Sequence, residues 1–297
     1  MVKKILIIMS SCFLLSCTTE KQLGNKENPI HFALVPGQDS AVLMENGKIL
    51  EQWIFQQTGL YIKVQVPVSF VAVVEALGSQ RVDGAIMNTF GYILAHDKYG
   101  ARARLMGVNL GVSEYRGQII TKNPKIKTLQ DLNGKKFAFV DPASTSGYIL
   151  AAKMLKDESV KLGEVIFAGK HDSVVTMVYQ GRVDAGATYY TPDENGEPQD
   201  ARLLVKAQYP DVFEKIRILK TTDPIPSEPV VFRRDFPKEL EEKIIAALKS
   251  FSSTPEGAKA LKKLYHLTGF KDCTDKDYDR VRKILLDLGK KVQDLVK

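Results

Sequence analysis

The sequence predicts an α/β protein of two lobes, each a mostly parallel sheet flanked by helices and joined by two hinge crossings. Three observations predict it. Strand-like and helix-like runs alternate along most of the chain, the pattern of βα units. About 270 residues follow the polar N-terminal stretch, which is large for one core and comfortable for two. A short stretch is also echoed: Gln80-Arg-Val-Asp-Gly-Ala-Ile-Met87 lies 101 positions before Gly181-Arg-Val-Asp-Ala-Gly-Ala-Thr188. Each copy follows a helix-like run and leads into a small apolar strand, as if one supersecondary unit were used once per lobe. Asp83 and Asp184 are read as structural turn residues, not catalytic acids.

The elements follow in order. Pro29–Val35 is strand-like, and Ala41–Gln57 is helix-like up to the stop near Gly59, with Trp53 packing inside it. Tyr61–Val66 alternates with period two and reads as a strand, Phe70–Leu77 as a helix and Val82–Met87 as a strand. Tyr115–Thr121 reads as the first crossing between lobes. Thr222–Phe232 reads as the return, because its three prolines keep it out of helix. Amphipathic runs at 240–251, 257–265 and 278–295 read as helices that pack on the first lobe. The division expected is 29–118 with 224–297 for lobe 1, and 119–223 for lobe 2.

The N-terminus reads as a targeting segment. Lys3 and Lys4 are followed by Ile5–Leu15, apolar except at Ser10 and Ser11 and too short to span a bilayer. Leu14-Leu15-Ser16-Cys17 resembles the lipobox of bacterial lipoproteins, which implies a signal peptide over 1–16 and lipid on Cys17. The polar residues 17–28 read as a tether, so the protein is expected in the cell envelope, anchored to a membrane. Cys12 leaves with the signal and Cys17 carries lipid. That leaves Cys273 as an inert thiol, with no intramolecular disulfide and no cysteine metal site. The formal charge of +7 is spread among acids rather than clustered. This is a solvated surface and not a nucleic-acid footprint.

The richest stretch is Pro142-Ala-Ser-Thr-Ser-Gly-Tyr148. It follows the strand-like Lys136–Val140 and opens the helix-like Tyr148–Leu155. Free backbone N–H groups and the positive end of a helix dipole therefore meet three hydroxyls there. An N-cap needs only one hydroxyl, so Ser144, Thr145 and Ser146 together point to an anion cradle. It carries no Lys and is not a P-loop.

Four motifs then stand in one order: Asp141-Pro-Ala-Ser-Thr-Ser-Gly-Tyr148, Gly169-Lys-His-Asp-Ser-Val-Val175, Gly181-Arg-Val-Asp-Ala-Gly-Ala187 and Ile225-Pro-Ser-Glu-Pro-Val-Val231. With them the chain resembles the phosphate/phosphite/phosphonate-binding group of ABC-transporter substrate-binding proteins, which has the type II periplasmic-binding fold. The likeness covers roughly 30–270. It implies that Ser144, Thr145 and Ser146 bind phosphoryl-type oxygens and that His171 donates to the same group. Glu228 stands where the family has Asp, to accept a proton from the oxyanion or to pair with a ligand amine; it is otherwise a hinge residue. Phe70 and Phe90 stand where the family often has Tyr, which removes hydroxyl donors. Asn88, Thr89 and Tyr92 are the candidates to compensate.

Tyr189-Tyr190 lies in the expected cleft, with Tyr189 taken as a lining residue. Adjacent tyrosines also leave ferric iron open as a ligand, with His31, His171 and Glu228 conscripted, and a heterocycle stays open too. The leading function is capture of a small oxyanion between closing lobes, with delivery to an ABC permease, by a monomer that needs no cofactor. A sensor or adhesin lipoprotein without a transporter is the alternative. An enzyme is not expected: no Gly-x-Ser-x-Gly elbow exists, and Asp172 next to His171 is poorly placed to orient it.

Overall fold

The computed structural model describes residues 22–287. The signal peptide, Cys17 and the start of the tether lie outside the described residues. Chain order in the first half is β1 (Ile30–Leu34), α1 (Ser40–Thr58), β2 (Ile62–Gln65), α2 (Phe70–Gly78), β3 (Gly84–Ile86), α3 (Thr89–Tyr99) and β4 (Arg102–Val108). The second lobe holds β5 (Glu114–Thr121), β6 (Phe137–Phe139), α4 (Leu150–Asp157), β7 (Val165–Phe167), α5 (His171–Tyr179), β8 (Ala185–Tyr190), α6 (Val212–Lys215) and β9 (Arg217–Pro226). The chain returns through β10 (Pro229–Phe232), α7 (Lys238–Phe251), α8 (Pro255–Tyr265), β11 (Gly269–Asp272) and α9 (Asp279–Asp287).

Local chemistry sets the helix ends. Asp39 caps α1 by accepting from the N–H groups of Ala41 (2.7 Å) and Val42 (3.3 Å), and Gly59 closes it in the left-handed region at φ 73°. Thr254 caps α8, with Pro255 in its first turn. Trp53, expected inside α1, is half-buried and donates its indole N–H to Ala247 O (2.8 Å), which ties α1 to α7.

Two sheets form, in the orders β11-β4-β10-β3-β1-β2 and β7-β6-β8-β5-β9. They are mixed rather than mostly parallel. β1 runs parallel to β2 and β3, and β6 parallel to β7 and β8, but β10, β4, β11, β5 and β9 pair antiparallel. The physical reason is the shared hinge. β5 and β10 each enter from the other lobe without a crossover helix and pair antiparallel with both neighbours.

The internal echo is one unit used twice. Asp83 accepts the backbone N–H of His31 at the foot of β1 (2.9 Å) and returns its own N–H to His31 O (2.8 Å). Asp184 does the same with Lys136 at the foot of β6 (3.0 and 2.9 Å). Both aspartates pin the parallel strand pair beside them and take no part in a site.

The chain changes sheet at 109–113 and again at Ser227–Glu228. The expected limits after residues 118 and 223 fall inside β5 and β9, because both strands belong wholly to the second sheet. The tether is also shorter than expected. Leu23 packs on the first lobe, and Gly24 O accepts from Tyr61 N–H (2.8 Å). Helices α1, α7 and α8 cover one face of the first sheet, in a core that includes Ile54, Leu248 and Leu261. Cys273 is buried, and burial pushes its thiol up to about 12, as expected of an inert cysteine.

Candidate ligand-binding site

A cavity of about 750 Å³, its mouth included, lies between the two sheets beside both crossings. Lobe 2 contributes Ser144, Thr145, Ser146, His171 and Tyr189; lobe 1 and the hinge contribute Phe70, Asn88 and Glu228. Eight of the nine ligand residues expected from sequence therefore share one wall.

The strand-to-helix junction that carries the three hydroxyls forms where expected. Val140 follows β6, and after Ser144 the chain makes a π-helical turn over Thr145–Ile149 that runs into α4. Ser144 Oγ accepts the N–H of Gly147 (3.1 Å), so its proton is free to donate. Gly147 must be glycine: a Cβ there would stand 2.4 Å from Val140 Cγ2, and the turn would leave the strand. Tyr115, the second residue of β5, brings its phenol within reach of the Thr89, Thr145 and Ser146 hydroxyls.

His171 is the first residue of α5, buried, with its ring edge-on to Tyr189 at 5.0 Å. Asp172 turns its carboxylate to Ser173 N–H (2.9 Å). No carboxylate orients the imidazole, and its Nδ1 has no partner. That arrangement suits a hydrogen-bonding wall and not a nucleophilic triad. Burial holds His171 down at about 3, a neutral ring in the cleft.

Helix α8 closes the lobe 1 side. Gln38 Nε2 donates to Lys263 O (2.7 Å) and Leu264 O (2.5 Å), and Tyr265 donates to Val35 O (2.9 Å). His266, left-handed at φ 57°, then pairs its Nε2 with Tyr189 OH across the cleft (2.9 Å). Burial first, and Lys262 next, lower His266 to about 4. Sequence reasoning missed Tyr115, Tyr265 and His266 as site residues. The first lay in a recognised crossing, but nothing local marks the other two.

Five buried side-chain polar atoms among the described residues lack a partner, and three of them belong to residues lining this cavity: Asn88 Oδ1, His171 Nδ1 and His266 Nδ1. Native interiors rarely leave such atoms unpaired. Among the described residues lining the cavity there is no Lys or Arg, but there are two carboxylates. Glu114 is paired with Arg280 (3.3 Å), whereas burial raises Glu228 to about 7. Its own backbone N–H works the other way.

Four expectations are corrected. Phe90 does not line the cavity; its ring is fully buried in the core, and only its backbone N–H reaches the cradle. Tyr92 is no substitute donor, because its hydroxyl is committed to Asp275 (2.8 Å) against Tyr278. Thr89 likewise gives its proton to Pro226 O (2.6 Å). The ferric set is not gathered either: Tyr190 and His31 lie outside the lining, since neighbouring strand residues face opposite ways.

This geometry is that of a two-lobed binding protein, and comparison with known proteins gives it a family. The family model described as "ABC transporter, phosphonate, periplasmic substrate-binding protein" matches residues 32–278. The chain belongs to that family. The family setting is outside the cytoplasm. The chain is 30% identical over 178 residues to the phosphate-import protein PhnD of Mycolicibacterium smegmatis; that stretch is 54% of this chain and 55%, about half, of the relative. In fold it is similar to the binding component of a phosphonate ABC transporter from Pseudomonas aeruginosa, with a TM-score of 0.77 at 20% identity, covering 87% of this chain and 86% of that one. It is also similar to PhnD1 of Prochlorococcus marinus in complex with methylphosphonate, with a TM-score of 0.74 at 16% identity, covering 88% and 98%.

Proposed function

We propose that this chain captures a small phosphorus oxyanion between its lobes and delivers it to an ABC permease. The observation that carries this reading is the cavity wall. Hydroxyls of Ser144, Thr145 and Ser146 and the neutral imidazole of His171 come from one lobe, and they face Asn88 and Glu228 from the other lobe and the hinge. Hydroxyl donors at the start of a helix stabilise phosphoryl oxygens. A carboxylate in the same wall, with no cation beside it, selects a ligand that also brings a proton or an ammonium group to Glu228. The ligand named for the Prochlorococcus structure, methylphosphonate, is of the size and charge this reading requires.

The test is a thermal-shift and calorimetric panel of phosphate, phosphite, methylphosphonate, 2-aminoethylphosphonate and sulfate. One phosphorus anion is expected to raise Tm, since a ligand at a hundredfold excess over Kd stabilises the folded state by about 2.7 kcal/mol. Sulfate, which carries no proton at neutral pH, is expected to leave Tm unchanged. Silence from every phosphorus anion overturns the reading.

The same proposal includes a lipid anchor on Cys17, supported by Leu14-Leu15-Ser16-Cys17. Replacing Cys17→Ala is expected to move the protein from the membrane fraction to the soluble fraction and to abolish labelling by a palmitate analogue. A variant that still fractionates with membranes and still takes label counts against the anchor.

A further inference from the structure

Helix α3 begins at Thr89, directly after Asn88 in the N-cap position. Asparagine is among the best N-caps, yet Asn88 makes no side-chain cap bond here. Its amide reaches across the cleft instead, and Nδ2 donates to Ala143 O (2.8 Å) and Thr145 Oγ1 (3.0 Å). Phe90 N–H is one of the first-turn donors that a helix cannot satisfy by itself. It donates to the same Thr145 Oγ1 at 2.9 Å. The first turn of a lobe 1 helix is thus capped by a residue of lobe 2.

A threonine hydroxyl has two acceptor sites and one proton. Lobe 1 donors occupy both acceptor sites of Thr145, so only its proton remains, for Tyr115 or a ligand. Asn88 Oδ1, meanwhile, is buried without a partner. It lies over the same first turn, 2.7 Å from where a Cβ on Gly91 would stand. That atom is already placed to cap α3 once its amide lets go of Ala143 and Thr145.

We propose that Thr145 is a positioning residue that couples cleft closure to ligand capture: it caps α3 from the opposite lobe when the cleft is closed, and Asn88 takes the cap back when the cleft opens. The inference rests on the two-lobe capture reading. It explains why closing leaves α3 with one cap in either state. A ligand contacting the Thr145 proton then shifts the balance toward the closed state.

Amide hydrogen exchange on the full chain tests this without ligand. Two reporters are used: Phe90 N–H, and His171 N–H, which crosses the cleft to Gly37 O (3.1 Å) away from Thr145. Thr145→Val keeps the shape and removes the acceptor. Exchange is expected to rise about tenfold at His171, with Thr145→Ser restoring it and the amides of α7 unchanged, while Asn88 Oδ1 takes over the first turn and keeps Phe90 protected. Asn88→Asp keeps the cap acceptor but deletes the amide donors, so it is expected to leave Phe90 protected and to speed His171. This second variant carries the test should the Val variant not fold. Acceleration at Phe90 alone reduces Thr145 to a local cap and overturns the coupling, as do unchanged rates at both sites. Methylphosphonate is then added to the wild type. If it does not slow His171 while Thr145→Val still speeds it, the ligand reading fails and the coupling stands.

Discussion

Replacing Ser144 and Ser146 together by alanine is expected to weaken binding of the cognate phosphorus anion by at least about a hundredfold. Each hydroxyl donates one hydrogen bond to a charged acceptor, a bond worth about 1.5–3 kcal/mol, and about 1.4 kcal/mol is a factor of ten in Kd. Thr145 is left in place because its acceptor sites join the two lobes. Ser144 also caps the turn at Gly147, so the variant should lose about 1 kcal/mol of stability. Calorimetric titration of the double variant checks the affinity, and a melting curve checks that the fold survives. Affinity equal to wild type would sink the cradle.

Glu228→Gln is expected to change both the pH profile of stability and the choice of ligand. The Glu228 carboxyl sits at about 7 in the folded protein against 4.5 in the free side chain. A folded value above the unfolded one means that its contribution is present in full below 4.5 and is lost as pH rises through 7. A shift of that size corresponds to about 3 kcal/mol at most. His171 and His266 act in the opposite window. Their values of about 3 and about 4 lie below the free imidazole at 6.5, so stability is lost as pH falls from 6.5 through those values. Glutamine mimics the neutral carboxyl. Melting temperatures of the unliganded variant should therefore exceed wild type at pH 8 and match it near pH 4. Parallel profiles across that range would show that Glu228 is not held neutral. In the same variant a ligand that donates to the carboxylate, such as an alkylammonium phosphonate, should bind more weakly above pH 7 than it does to wild type.

Part of this site was legible in the chain because its parts are near neighbours. The Ser144–Ser146 cradle sits on one strand-to-helix junction, and Asp83 and Asp184 each mark a helix-to-strand junction. His171 opens a helix whose pattern is plain from the sequence. Phe70 and Phe90 show the limit. Both looked like the same loss of a hydroxyl, yet one lines the cleft while the other is wholly buried in the core. Which way an aromatic ring points at a helix start depends on what packs against it, and that partner lies elsewhere in the chain.

By itself, the sequence determined the α/β class, the repeated unit, the strand-to-helix junction that carries three hydroxyls, and the position of the hinge prolines. All of these follow from periodicity and capping within a few residues. Only the tertiary structure decided the sheet directions, the place of Tyr115, Tyr265 and His266 in the wall, and the role of Thr145 as a joint. Those depend on pairs far apart in the chain, such as Asn88 with Thr145 at a separation of 57 and Tyr189 with His266 at 77. No local pattern encodes such a meeting, because its partners come together only when the two lobes are packed against each other.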